Sequence, residues 1–582
     1  MKQIQVIATD FSPRVLTEDK LYYLGPWCNQ KKKNQKNKVL KYVWSEKKEL
    51  KKDYNYLNIL FKKIIKSLPK YLNKYHNTNL PNIFWKSIIW VWLSFYLSST
   101  FLKWRSFSNG INKNKKKKIK FVQVQFDGII CSKDTHSYKN FIQESDIFNE
   151  YEYSKISNFL KDKIDIIKKK KSYVFNFNYK FKYRVSILIS KIIKTVINFI
   201  KIKILKTEAI VYQGLKIKNL FRLTIQKLKF PLFIDEVFPI KSIKLKKLKK
   251  HEIKKRKKIK FKFNVNNKYE NYLMNNIFLD IPISFLEDFQ EFQNKAKKLN
   301  IKTDLIVSSI GHYFNDKYKI WLFFKKIFEK SKLIIIEHGG NHSVSRHSSF
   351  FNYDNIVGDV FIPWDKSSKL PAEKYIGFNN KKKLSKNLLY VGHETDKYPS
   401  KTIPDISTIN ELESIPNLDY LNKNLNKNTL KKLVYVEKKT RDKRTIERIK
   451  KIIGKDKTKK KGTFLNELRK TKLAICDYPQ TSYFDCLITC PTIMVFDYQK
   501  EWTPLKKFFK LYNILKKNNM LFKDIQEATK FINKNWDQID IWWNSGQIVN
   551  VRKIILDEFC IDTNIKGANK WYKFLNNKSN LK

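Results

Sequence analysis

The residues best suited to chemistry fall in three short stretches, each just beyond an apolar run. The first is Glu337–His338–Gly339–Gly340–Asn341–His342. A His at the carboxyl end of a strand, followed by two glycines that let backbone N–H groups approach an anion, suits a general base or a phosphate and hydroxyl ligand. Free imidazole titrates near neutrality, so His338 can take a proton from an attacking hydroxyl. The plainer reading is a tight turn that needs glycine for backbone reasons, with a His satisfied by the sheet. His338, His342 and His347 also raise a zinc reading. Glycines at 339 and 340 disfavour the helix it needs and no Glu follows the first His, so no metal is expected.

The second stretch runs from Asp477 to Asp485. A strand ends at Asp477, Pro479 bars an immediate helix, and Thr481 or Ser482 can cap a new one. That leaves hydroxyls and free N–H groups aimed at a crevice, the makings of a pyrophosphate site. Asp485, one turn on, would reach a ribose or sugar hydroxyl. A routine strand-to-helix turn explains the same residues less specifically. In the third stretch, Glu437–Lys438–Lys439–Thr440–Arg441, a cation would neutralise a leaving diphosphate without metal. Lysine is so common in this chain that only Arg441 carries weight.

Parallel α/β units must position these residues. Thr303–Ile310 is a short apolar run, Asn315–Asp316 starts a helix continuing through Lys330, and Leu333–Ile336 is a second apolar run entering the glycines. Strand, helix, strand and glycine turn make a βαβ unit, whose carboxyl-end loops line a ligand crevice. Beyond a linker at Pro363–Pro371 the pattern resumes with strands that each end in polar turns, at 388–393, 431–444, 472–487 and 491–498. The expected class is α/β, with two Rossmann-like doubly wound domains and a cleft between them. The expected division is an acceptor-side domain at 1–370, a donor-binding domain at 371–535, and helices at 536–582 packing at the interface. The stretch from Asp127 to Lys260 offers no chemistry, and no repeat is visible.

Of the 582 residues, 119 are Lys or Arg and 53 Asp or Glu, a formal charge of +66. Such a balance suits phosphate-bearing partners, although the joint excess of Lys, Asn, Ile, Phe and Tyr also fits an AT-rich genome. No helix-turn-helix, zinc-finger or RNP motif is present, so nucleic acid is not the expected partner. Six cysteines without a C-x-x-C pair, and an amino terminus lacking a long apolar core, lead us to expect a cytoplasmic protein. Ile83–Phe101 is about long enough to span a bilayer, but its aromatics, its serines and its isolation favour a buried helix. Val185–Lys206 interleaves apolar residues with Lys at helical spacing, which fits a basic interfacial helix as well as an ordinary solvated face.

At these residues the chain resembles the transferases of bacterial lipopolysaccharide and capsule gene clusters, distant relatives of the glycerophosphotransferases that extend teichoic acid. Leu21–Gln30 resembles the family's Leu-Gly-x-Trp-Cys block. Leu72–His76, Phe84–Tyr96 and Arg105 resemble its Asn-x-x-His, Gly-Pro-Trp-Leu and Trp-Arg segment. The His338 turn and Asp477–Asp497 resemble its Gln-His-Gly-Gly turn and its Thr-x-x-x-Glu helix before an apolar strand. Glu337 stands where the family has Gln, Asp485 where it has Glu, and Trp90–Val91–Trp92 where it has Gly-Pro-Trp. The resemblance implies a GT-B-like, metal-independent enzyme without a cofactor, using a nucleotide-sugar donor and a lipid-linked or glycan acceptor at an anionic membrane surface. It makes His338 the base or acceptor ligand, and Thr481, Ser482 and Asp485 the donor site with Arg441. A polyol-phosphate transferase and a non-catalytic scaffold of the same shape are the alternatives.

Overall fold

A computed structural model of the chain describes residues 3–25, 27–28, 39–114, 116–170, 185–200, 210–213, 231–240, 242–299, 301–339, 344, 349–379, 386–392, 396–398, 414–437, 443–460, 462–477, 479–497 and 504–576. Three sheets, parallel throughout, carry the architecture. The first contains β1 (Gln3–Ile7), β2 (Leu21–Tyr23), β3 (Lys118–Gln125) and β4 (Asp165–Lys170), in the order β2-β1-β3-β4. The second contains β5 (Ile210–Gln213), β6 (Pro231–Phe233), β7 (Leu305–Ser308), β8 (Lys332–Ile336) and β9 (Val360–Ile362), in the order β9-β8-β7-β5-β6.

The third sheet runs β12-β11-β10-β13-β14-β15, from β10 (Asn387–Val391), β11 (Leu433–Val436), β12 (Thr458–Lys459), β13 (Thr471–Cys476), β14 (Thr492–Val495) and β15 (Leu521–Phe522). Numbered from its own first strand, its order is 3-2-1-4-5-6, the Rossmann arrangement; the second sheet follows the related 2-1-3-4-5 order. The expected α/β class, with two Rossmann-like doubly wound units, therefore holds. What the sequence did not announce is the additional sheet within the first 370 residues.

The central strands of the second and third sheets read as continuous apolar runs because both faces are covered. In the third sheet Leu388, Tyr390, Leu433, Tyr435, Leu473 and Ile475 point into one core, while Leu389, Val391, Val434, Val436, Ala474 and Cys476 point into another. The carboxyl-terminal helices divide between the units. Trp543, Ile548, Val551 and Ile555 pack under the third sheet, with Trp542 at the margin. The last helix, Gly567–Asn576, crosses back, and its Ala568, Trp571 and Leu575 join the core of the second sheet. The Trp571 indole donates to the Pro371 carbonyl at 2.8 Å, fixing this return at the linker.

Two long helices, α1 (Lys47–His76) and α2 (Asn82–Lys113), join the first sheet to the second. On α1, Leu50, Leu57, Leu60, Ile64, Leu68 and Leu72 are buried at helical spacing, an amphipathic stripe. Helix α2 is apolar nearly all round and is buried along most of its length, including the Ile83–Phe101 stretch. Among the described residues no helix is long and apolar enough to cross a membrane.

The Asn-x-x-His and Trp-Arg motifs act here as joints of the core. Asn73 accepts the Trp85 indole N–H at 2.8 Å, and His76 stacks on Trp85 with ring centroids 5.4 Å apart. Arg105 reaches back from α2 to Asp53 at 2.6 Å and Glu49 at 2.8 Å on α1.

Candidate active site

In doubly wound sheets ligands lie outside the carboxyl ends of the strands, where the strand order reverses. In the third sheet that point falls between β10 and β13, at Gly392 and Asp477. Asp477 is buried, and Oδ2 accepts the Tyr390 hydroxyl at 3.3 Å. A Cβ on Gly392 would stand 2.7 Å from the Tyr390 ring and 3.5 Å from Asp477 Oδ2, so the glycine keeps this floor open.

Directly beyond begins α3 of this crevice, better named by its residues, Thr481–Thr489. Gln480 occupies the cap position without a side-chain capping bond, so Thr481 and Ser482 form the first helical turn instead of capping it. Their N–H groups have no carbonyl one turn back to bond, which leaves them for a ligand anion. Both side chains are half-buried.

In the second sheet the order reverses between β5 and β7. Gln213 at the end of β5 accepts the backbone N–H of Ile310 at 2.9 Å and of Gly311 at 2.5 Å, and donates to Asp235 at 2.8 Å. It thereby shapes the loop that carries Ser309. Beneath that loop Ser308 meets His312 Nδ1 at 2.9 Å, and His312 Nε2 meets Asp354 at 3.0 Å. The three residues look like a hydrolytic set. All are fully buried, so the network serves as an internal brace and offers no nucleophile to a ligand.

His338 follows β8 on the exposed side of the same edge, its Nδ1 3.2 Å from Ser309 Oγ. Glu337 before it is buried, and its carboxylate accepts the Trp364 backbone N–H at 2.7 Å, so it ties β8 to the segment after β9. Gly339 has φ of +96°, and a Cβ there would lie 2.8 Å from Thr481 Oγ1. The glycine turn of the second sheet thus abuts the first turn of the Thr481–Thr489 helix: the two candidate stretches, some 140 residues apart in sequence, meet across the cleft. Gly340, Asn341, His342, His347 and Arg441 lie outside the described residues.

Asp485, expected to reach a ribose or sugar hydroxyl, has its carboxylate engaged within the protein. Its carboxylate is bracketed by Lys374 Nζ at 2.5 and 2.8 Å, and accepts the Tyr375 hydroxyl at 3.0 Å. Burial, and then the Asp485 charge, push the Tyr375 phenol well above its usual range, so it remains a donor. Tyr375 also lies 3.1 Å from the Thr481 carbonyl. Asp485 therefore latches the Lys374–Tyr375 segment to the Thr481–Thr489 helix.

The first sheet reaches the same region. Lys397, in the segment that follows β10, pairs with Asp10 beyond β1 at 3.0 Å and with Asp146; the Tyr398 hydroxyl donates to Asp146. The Trp27 and Tyr398 rings lie 5.8 Å apart, and a Cβ on Gly25 would strike the Trp27 ring. The Leu-Gly-x-Trp-Cys block thus supports the Lys397–Tyr398 segment after β10.

Two adjoining cavities open from the second sheet's carboxyl edge. One of about 290 Å³ is lined by His136, Lys191, Gln213, Asp235 and Gly311. The other, of about 720 Å³, shares Phe238, Phe314 and Asn315 with it and is rimmed by Lys133, Lys244, Lys295 and Lys317. Burial and the nearby ammonium groups of Lys133 and Lys295 lower the Lys317 pKa. Most of these residues come from the stretch between 127 and 260; only Gln213, at the end of β5, and Asp235, two residues beyond β6, could have flagged them. Among the described residues no group of three or more His, Cys, Asp or Glu is placed to hold a metal ion.

None of the curated proteins compared matches the chain. Among solved structures it is similar to the S. aureus MnaA–UDP complex, at 10% identity over 65% of this chain and 98% of that one, with a TM-score of 0.36. It is also similar to UDP-GlcNAc 2-epimerase from Neisseria meningitidis bound to UDP-GlcNAc, at 8% identity over 63% and 99%, with a TM-score of 0.32. The model of the LIC12162 family transferases matches residues 5–575, a span that takes in the Trp27 block, the His338 turn and the Thr481 helix, and the chain therefore belongs to that family.

Proposed function

We propose that this transferase moves a sugar from a nucleotide-activated donor to a lipid-linked or glycan acceptor of a bacterial surface polysaccharide, lipopolysaccharide or capsule, at the inner face of the cytoplasmic membrane. The observation that carries the reading is the approach of Gly339 to Thr481, which brings the carboxyl-end loops of two doubly wound sheets to one cleft. In this GT-B-like reading the nucleotide diphosphate lies over Gly392 and Asp477. The hydroxyls and N–H groups of Thr481 and Ser482 and the guanidinium of Arg441 take its charge, so the leaving diphosphate needs no metal or cofactor.

The acceptor enters from the second sheet, along the cavities beside Gln213. His338, steadied by Ser309, accepts the proton of the attacking hydroxyl as the bond to the sugar forms and the bond to the diphosphate breaks. Gly339, at its positive φ, lets the backbone come close to both substrates.

The test is donor turnover. Purified protein is given a panel of nucleotide sugars with membranes carrying polysaccharide precursors, and release of nucleotide is followed with transfer of label to lipid. His338→Ala should lower turnover by at least about a hundredfold, the usual scale for a general base, while Ser482→Ala weakens donor binding. Transfer of a polyol phosphate under the same conditions would move the chain to the phosphotransferase class. Donor binding without any turnover would make it a scaffold.

A further inference from the structure

The helix Val185–Phe199 turns a row of large apolar side chains to solvent. It lies along edge strand β6. On the side that meets the sheet, Ile197 packs on the core and the Asn198 amide donates to the Phe233 carbonyl at 2.7 Å and accepts the Phe233 N–H at 2.8 Å. The Lys194 ammonium sits 5.2 Å from the centre of the Phe233 ring, and Lys191 lines the smaller cavity. The side that faces out is apolar: Ile189, Ile192, Ile193, Val196 and Phe199 are 53, 63, 46, 51 and 61% exposed.

These five recur at i, i+3, i+4, i+7 and i+10, so they form one continuous stripe. An ordinary surface helix turns that stripe inward. A row of five large apolar side chains in water marks a surface that some partner covers.

Charge identifies the partner. Between Asp165 and Asp235 the sole acidic residue is Glu208, whereas Lys180, Lys182 and Arg184 precede the helix and Lys201, Lys203 and Lys206 follow it. Cations flanking an apolar stripe match an anionic bilayer, whose headgroups meet the ammonium groups while the stripe enters the acyl boundary. Against a second copy of the same chain, like charges would face each other. Lys191 and Lys194 interrupt the apolar run within the helix, so it lies flat instead of crossing the bilayer.

We infer that this helix docks the protein on an anionic membrane by inserting Ile189, Ile192, Ile193, Val196 and Phe199. Because Lys191 on its other face lines the cavity beside Gln213, docking holds that cavity at the lipid surface, where a lipid-linked acceptor is presented. This use of the contact rests on the transferase reading; the docking itself does not.

The experiment is flotation of the full chain with vesicles of phosphatidylglycerol and phosphatidylcholine, and with phosphatidylcholine alone. The wild type should bind the anionic vesicles at least tenfold more tightly than the neutral ones. Ile192→Asp combined with Val196→Asp should lose at least tenfold on anionic vesicles with an unchanged melting midpoint, because both side chains stand in solvent. Equal binding by this variant, or no binding by the wild type, overturns the inference. So does a wild-type dimer in light scattering that the variant converts to a monomer, since the stripe would then cover a second copy. Nucleotide-induced stabilisation, measured on the same samples, separates the two claims: its absence in both proteins counts against the donor site and leaves the docking result standing.

Discussion

Replacing Gly339 by Ala tests whether the two halves of the cleft touch. The residue has φ of +96°, where a Cβ meets the neighbouring carbonyl, at a cost of ~1–2 kcal/mol. The new methyl would stand 2.8 Å from Thr481 Oγ1, closer than such atoms pack, and displacing that first helical turn adds ~1 kcal/mol. Gly339→Ala should therefore cost ~2–3 kcal/mol in all. The contact share alone depends on Thr481. In Gly339→Ala/Thr481→Ala the hydroxyl is gone, so ~1 kcal/mol should return as a coupling energy, while the backbone share persists. Urea midpoints for wild type, both single variants and the double variant measure this, provided the slope is unchanged. Strictly additive effects would refute the contact, and a neutral Gly339→Ala would refute the turn itself.

Other consequences follow from the packing. Lys374→Met leaves the Asp485 carboxylate without its cation and should cost ~2 kcal/mol, with Tyr375→Phe costing ~1–2 kcal/mol, both read from urea midpoints. Arg256 is fully buried, bonds Glu287 at 2.5 and 2.8 Å and also reaches the carbonyls of Phe278, Leu279 and Ile281; Arg256→Met should cost ~3–5 kcal/mol or abolish soluble expression. Burial holds the His76 imidazole down at about 4, despite its contact with the Phe285 carbonyl. The unfolded chain takes up that proton as pH falls through ~6.5 and the native state only near 4, so stability is lost across that window. Between pH 7 and 5 the loss is ~2 kcal/mol, and His76→Gln should flatten that limb when urea midpoints are compared at the two pH values.

The parts legible in sequence were those written in local pattern. The apolar runs at Leu333–Ile336 and Thr471–Cys476 are buried strands, and Asn315 caps the helix Asp316–Phe328 as its side chain and position predict. Ile83–Phe101 reads correctly as core because its aromatics and serines suit protein better than lipid. Harder to read was whatever depends on distant partners. Asp485 has the sequence setting of a ligand residue, yet Lys374, 111 positions away, occupies it. Strands β5 and β6 are only four and three residues long and stand among lysine-rich segments, so no period marks them. Their alignment on β7 comes from the parallel ladder that Tyr212 shares with Val307 and Phe233. The Trp27 block is conspicuous in sequence, but its work, a ring contact with Tyr398, appears only once the first and third sheets meet.

The central claim is a nucleotide site at the strand-order reversal of the third sheet, and calorimetric titration of the wild-type chain with nucleoside diphosphates tests it most directly. One diphosphate should bind, and at ~100 times its Kd should add ~2.7 kcal/mol of stability. Its affinity should fall at least tenfold in Ser482→Ala and in Arg441→Ala with melting midpoints unchanged. A folded wild-type protein that binds none of them, or one whose binding ignores both substitutions, would contradict the assignment.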